Sequence, residues 1–209
     1  MRKLLWISLF AMAMAYLEAA VVVYLRMIYY PAGFAFPLAT LPLNTLAIEI
    51  GREVATIIML AVIGVMAGKT LWSRFAYFGL AFGVWDIFYY VWLKILLNWP
   101  DSFLTPDVLF LIPSPWVGPV LAPVLVSLTL IGATIISIYW TEKGYLLKAG
   151  KRDWVELCLA GLIIISSFCW DTQRIIKGGI PGTYHWSILG LGEALGIYTF
   201  IRVIRKRGI

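Results

Sequence analysis

LAIEIGREVATIIML, residues 46–60, puts Glu49, Arg52 and Glu53 at i, i+3 and i+4, at the head of a run that stays apolar as far as Lys69. That spacing predicts a helix with its three charges on one face. With the uncharged stretch behind them, the segment 46–68 has the length, about 20 residues, needed to cross a hydrocarbon layer of about 30 Å. Working outward from this segment, the same pattern recurs. Apolar runs long enough to span lie at about 4–26, 46–68, 72–97, 117–140, 154–173 and 185–203.

Composition points the same way. Of 209 residues, 62% are hydrophobic and 13% charged, which is too little charge to cover the surface of a water-soluble domain of this size. The expected fold is all-α: a polytopic integral membrane protein, a bundle of about six transmembrane helices forming one domain over 1–209. No internal repeat, heptad run or dividing linker interrupts it. The first segment begins like a secretory signal, with Ala13-Met14-Ala15 resembling a cleavage site. Its apolar run continues through Val23, however, so an uncleaved first span is expected.

The basic residues orient the spans. Arg2, Lys3, Lys69, Arg74, Lys143, Lys148, Lys151, Arg152, Arg202, Arg205, Lys206 and Arg207 fall on one side, and Arg26, Arg52, Lys94, Arg174 and Lys177 on the other. By the positive-inside rule both termini are expected to be cytoplasmic, in the cell membrane. Because the positive charge is dispersed between apolar runs rather than gathered in a stripe, nucleic-acid binding is not expected.

The two longer outer connections, residues 27–45 and 99–119, are rich in proline and aromatics and too apolar for free loops. They are expected to lie at the interface or to re-enter the bilayer, which requires protein or a cavity to satisfy their backbone.

Within this frame the ionisable residues gather in the outer half of the spans. Glu18 is near the middle of the first. Glu49, Arg52 and Glu53 begin the second, with Arg52 expected between the two carboxylates of its own helix. Asp86, Tyr90 and Lys94 form a stripe every four residues along the third. Arg174 ends the fifth beside Asp171, and His185 and Glu193 share a face of the sixth. A charge at a bilayer centre costs about 2.5–3.5 kcal/mol on insertion scales, so these side chains are expected to be paired around a polar chamber open to the outside. Glu18, Glu49, Arg52, Glu53, Asp86, Tyr90, Lys94, Arg174, His185 and Glu193 are the candidate binding residues.

His185 is the only histidine, with no ExxH or HxxxH spacing, so no metal site is expected. Cys158 and Cys169, eleven residues apart, have neither a CxxC spacing nor a ligand partner. No cofactor motif is present.

Three function classes fit a charged chamber in six spans. One is binding or transport of a small polar solute or ion; the second is a membrane-embedded enzyme using its carboxylates, with or without a metal; the third is a structural subunit of a larger membrane complex. Small-residue faces at Ala11, Ala15 and Ala19 and at Gly192 and Gly196 could dock another helix, so a membrane-protein partner or a homo-oligomer is expected to meet the chain there.

Overall fold

A computed structural model describes residues 2–206; Arg207 of the basic tail lies outside the described residues. Six helices are long and apolar enough to cross a membrane. In chain order the elements are α1 (Arg2–Tyr29), α2 (Leu43–Ala67), α3 (Leu71–Leu97), β1 (Pro106–Phe110), β2 (Trp116–Pro119), α4 (Leu121–Glu142), α5 (Lys151–Phe168), α6 (Thr172–Ile176) and α7 (Trp186–Arg205).

The chain is mostly helical but not all-α. Residues 106–119, expected to be interfacial or re-entrant, form an antiparallel hairpin pairing Pro106 with Pro119, Asp107 with Gly118, Val108 with Val117 and Phe110 with Trp116, with a bulge between Val108 and Phe110. β-branched and aromatic side chains favour extended backbone here. The prolines, which cannot donate to a ladder, stand at its end. For the same reason the fourth apolar helix starts at Leu121 and not at 117. The fifth stops at Phe168, and a turn of separate helix, α6, follows.

Helix α3 is the hub. Its start is fixed by a reciprocal cap: Thr70 Oγ1 accepts from the Ser73 amide at 3.2 Å, and Ser73 Oγ accepts from the Thr70 amide at 2.9 Å. Its end is set by Asn98 in the left-handed conformation (φ 53°). Ala11, Ala15 and Ala19 of α1 are fully buried in the chain itself, where α1 packs along α3. The Trp92 indole of α3 donates to the Met12 carbonyl of α1 at 3.0 Å. On the opposite side Gly83 lets α4 approach, since a Cβ there would stand 2.7 Å from the Ser127 carbonyl oxygen.

Helices α5 and α7 form a second pair. A Cβ at Gly192 would stand 2.7 Å from Ile164 Cγ1, and Gly196 faces Ala160. Ala11, Ala15, Ala19 and Gly192 thus serve close packing between helices of this chain.

At the end of the molecule that carries both chain termini, Arg202 of α7 bonds Asp153 at 2.8 Å and also pairs with Glu156. Lys3 Nζ donates there to the Ala67 carbonyl at 3.2 Å. Trp72 stacks on Phe200, with ring centroids 6.2 Å apart. Outward faces carry large apolar side chains such as Trp6, Leu17, Met66 and Leu162, each more than half exposed.

Candidate functional site

A cleft of about 160 Å³ opens at the other end, between the last turns of α1, the first turns of α2, the middle of α3, the 30–42 loop and one face of β1. Each of its walls contributes an ionisable side chain.

From α2, Arg52 Nε and Nη2 donate to Glu49 Oε2 at 3.0 and 2.8 Å. Its Nη1 pairs with Glu18 Oε1 of α1. The second carboxylate on Arg52 thus comes from a different helix, and not from Glu53 as the spacing suggests. Arg52 and Glu53 are neighbours in the helix, about 100° apart around its axis, so the guanidinium that faces Glu49 and the α1 wall points away from Glu53. Glu18 is completed by Thr56 Oγ1, which donates to its other oxygen at 3.0 Å. Glu53 turns to the hairpin, where the Leu111 amide donates to both carboxylate oxygens at 3.0 and 2.9 Å. That bond satisfies a backbone group just past the end of β1, where the ladder has stopped.

From α3, Asp86 Oδ2 accepts from Ser127 Oγ at 2.8 Å, and Trp85, Tyr89 and Tyr90 line the same wall. From the hairpin comes Asp107, 2% exposed, which meets Arg26 of α1 at 3.1 Å. The Arg26 guanidinium lies 3.8 Å from the Trp99 ring centroid and 4.4 Å from that of Phe34. Two aromatic faces and one carboxylate hold it almost out of solvent. Burial raises the Asp107 carboxyl from 3.8 to about 6, against the pull of Arg26, the Val108 amide and the Tyr90 hydroxyl beside it.

Among the described residues six buried side-chain atoms make no hydrogen bond: Trp72 Nε1 and Trp116 Nε1 lie outside the cleft, Arg52 Nη1 is ion-paired with Glu18, and Arg26 Nη1, Trp85 Nε1 and Asp107 Oδ2, the last in a carboxyl that the Tyr90 hydroxyl and Val108 amide also approach, belong to residues that line it. Of these last three, two are donors and one an acceptor. Such groups are rare in folded proteins and each costs about 1–3 kcal/mol if left unmet.

Of the residues expected to surround a chamber, Glu18, Glu49, Arg52, Glu53, Asp86 and Tyr90 line this cleft. Four do not. Lys94 continues the stripe of Asp86 and Tyr90 in sequence, but its exposed ammonium donates to the carbonyls of Asn98 and Pro100 at 3.2 and 3.0 Å, closing the end of α3. Glu193 is bonded to Thr129 between α4 and α7. Arg174 is exposed against the 179–182 turn, and His185 lies against Trp170 in a tilted contact with centroids 4.6 Å apart.

His185 instead borders a second cleft, of about 250 Å³, on the other face of the hairpin. There Ser167 and Tyr184 share a hydrogen bond of 2.8 Å, and burial pushes the Tyr184 hydroxyl up to about 12, so it stays protonated at neutral pH.

Comparison with protein-family models, with curated proteins and with solved structures found no match.

Arg26 and Asp107 are the residues whose importance the spans do not reveal. Arg26 reads as a snorkelling residue at a helix end. Asp107 does leave a signal, as the one acid in the apolar stretch FLTPDVLFLI, residues 103–112. Among the described residues, no three His, Cys, Asp or Glu side chains are grouped so as to hold a metal ion.

Proposed function

We propose that the chain is a six-span integral membrane protein with both termini cytoplasmic, and that its outer cleft binds a small polar solute as a receptor or the entry site of a transporter. The large apolar side chains on the outward faces suit contact with lipid, and the dispersed basic residues suit a cytoplasmic placement of the termini. With an even number of spans the cleft then lies on the side opposite the termini.

The observation that carries the solute reading is the set of unmet polar atoms, Arg26 Nη1, Trp85 Nε1 and Asp107 Oδ2, in the wall of one cleft. Single unmet indoles also occur in the packing at Trp72 and Trp116, but among the described residues only the cleft joins an unmet guanidinium nitrogen and an unmet carboxylate oxygen, and each lowers stability unless something meets it. A solute with an acceptor and a donor would satisfy all three.

The test is native mass spectrometry of the detergent-purified full chain beside the Arg26→Leu/Asp107→Leu double variant. A small polar adduct on the wild type that is lost from the folded double variant is the expected result. A wild type that retains no solute, and that no polar small molecule stabilises against heat, overturns the reading.

A further inference from the structure

The charges of the cleft do not balance, and the imbalance narrows what can occupy it. Arg52 is shared by Glu18 and Glu49, and Arg26 is taken by Asp107. Glu53 and Asp86 receive only neutral donors, the Leu111 amide and the Ser127 hydroxyl. Five carboxyl groups therefore face two guanidinium groups, and among the described residues Glu53 and Asp86 make no direct ion pair, although Arg52 acts on Glu53 through space.

A simple anion would enter against that surplus. A simple cation would answer it but leave Arg26 Nη1 and Trp85 Nε1 without an acceptor. A neutral polyol would satisfy hydrogen bonds but bring no ion-pair partner to either sign. A solute carrying both signs, neutral as a whole, brings a carboxylate to the guanidinium side and an ammonium to the carboxyl groups that lack one.

Resting on the reading of this cleft as a solute site, we infer that its occupant is a small zwitterion of the amino-acid type. Its carboxylate lies against Arg26 Nη1 and Trp85 Nε1, and its protonated amine is directed to Asp107 Oδ2 and the Asp86 side. A free ammonium is required, since the unmet Asp107 oxygen needs a donor that a quaternary amine lacks. The tyrosine rings of Tyr89 and Tyr90 add faces that favour a cation. Size sets an upper limit: about 160 Å³ corresponds to roughly five water molecules, which suits a molecule of a few heavy atoms.

The experiment is equilibrium dialysis of the full-length protein in detergent with radiolabelled alanine and β-alanine, in competition with propionate, propylamine, glycine betaine, glycerol and urea. Saturable binding of at least one of the two zwitterions is expected, with each competitor at least tenfold weaker. Trp85→Phe, which keeps an aromatic ring and removes the indole donor, should weaken that binding about tenfold in protein that still unfolds cooperatively. Glycerol or urea binding as tightly as the zwitterions would overturn this inference and leave the polar-solute reading standing. Propionate, propylamine or betaine binding equally well would overturn it too, as would a Trp85→Phe variant of wild-type affinity. If none of the compounds binds, this inference fails, and native mass spectrometry with thermal stabilisation decides the polar-solute reading separately.

Discussion

Arg26, near the end of α1, and Asp107, on β1, lie 81 positions apart in the chain and meet at 3.1 Å, both almost fully buried. The pair joins the first helix to the hairpin and forms one wall of the cleft. Removing one partner leaves the other charge buried without compensation. Arg26→Leu or Asp107→Leu alone should therefore cost roughly 3–5 kcal/mol. The double replacement should be neutral, or stabilising by up to about 4 kcal/mol, while solute binding is lost. Thermal denaturation of the four proteins in one detergent measures the cycle.

The same carboxyl makes stability depend on pH. Folding raises Asp107 from 3.8 to about 6, so the folded chain holds a proton there that the unfolded chain has released. Its contribution is complete below about pH 4 and is lost as pH rises through 6, a decline of roughly 3 kcal/mol. Melting curves of wild type and Asp107→Asn between pH 4 and 7 should differ by that component. Parallel curves would contradict it.

Gly83 sets the spacing of α3 and α4 that allows Asp86 to reach Ser127. Gly83→Ala would put a methyl group 2.7 Å from the Ser127 carbonyl oxygen and should cost about 1–3 kcal/mol. Gly132→Ala, where a Cβ meets nothing within 4 Å, should leave stability unchanged or slightly raised. Unfolding of the two variants side by side separates close approach from helix propensity.

Glu53→Gln and Asp86→Asn each remove a charge and keep the shape. An amide oxygen can still accept from the Leu111 amide or the Ser127 hydroxyl, so each variant should insert normally and lose less than about 1 kcal/mol. Solute binding should fall at least tenfold in both. Wild-type binding in both would remove these residues from the site.

Lys94→Gln should do neither. Its ammonium closes the end of α3 in solvent, outside the cleft, and a Gln amide can donate to the same carbonyls. Stability should change by no more than about 0.5 kcal/mol, and binding should be unaltered in the dialysis assay.

Hydropathy and charge spacing were enough to place six long apolar helices, to gather the ionisable residues lying within the spans towards one end, and to select Glu18, Glu49, Arg52, Glu53, Asp86 and Tyr90, which share a cleft. These are local properties: a run of apolar residues has one stable use of its backbone, and a helix repeats every 3.6 residues. Pairing is not local. Lys94 sits one turn beyond Tyr90 and leaves the stripe because Asn98 reverses the chain and offers it carbonyls. Arg52 takes its second carboxylate from α1, since the ridge of Ala11, Ala15 and Ala19 draws that helix into the core against α3. Asp107 reaches Arg26 because residues 106–119 fold as a hairpin, a choice made by contacts of Phe110 and Trp116 with side chains distant in sequence. Apolar runs and helical periodicity thus determine which segments become helices. Which charges meet depends on how closely the helices approach, and that is decided only when the side chains between them pack.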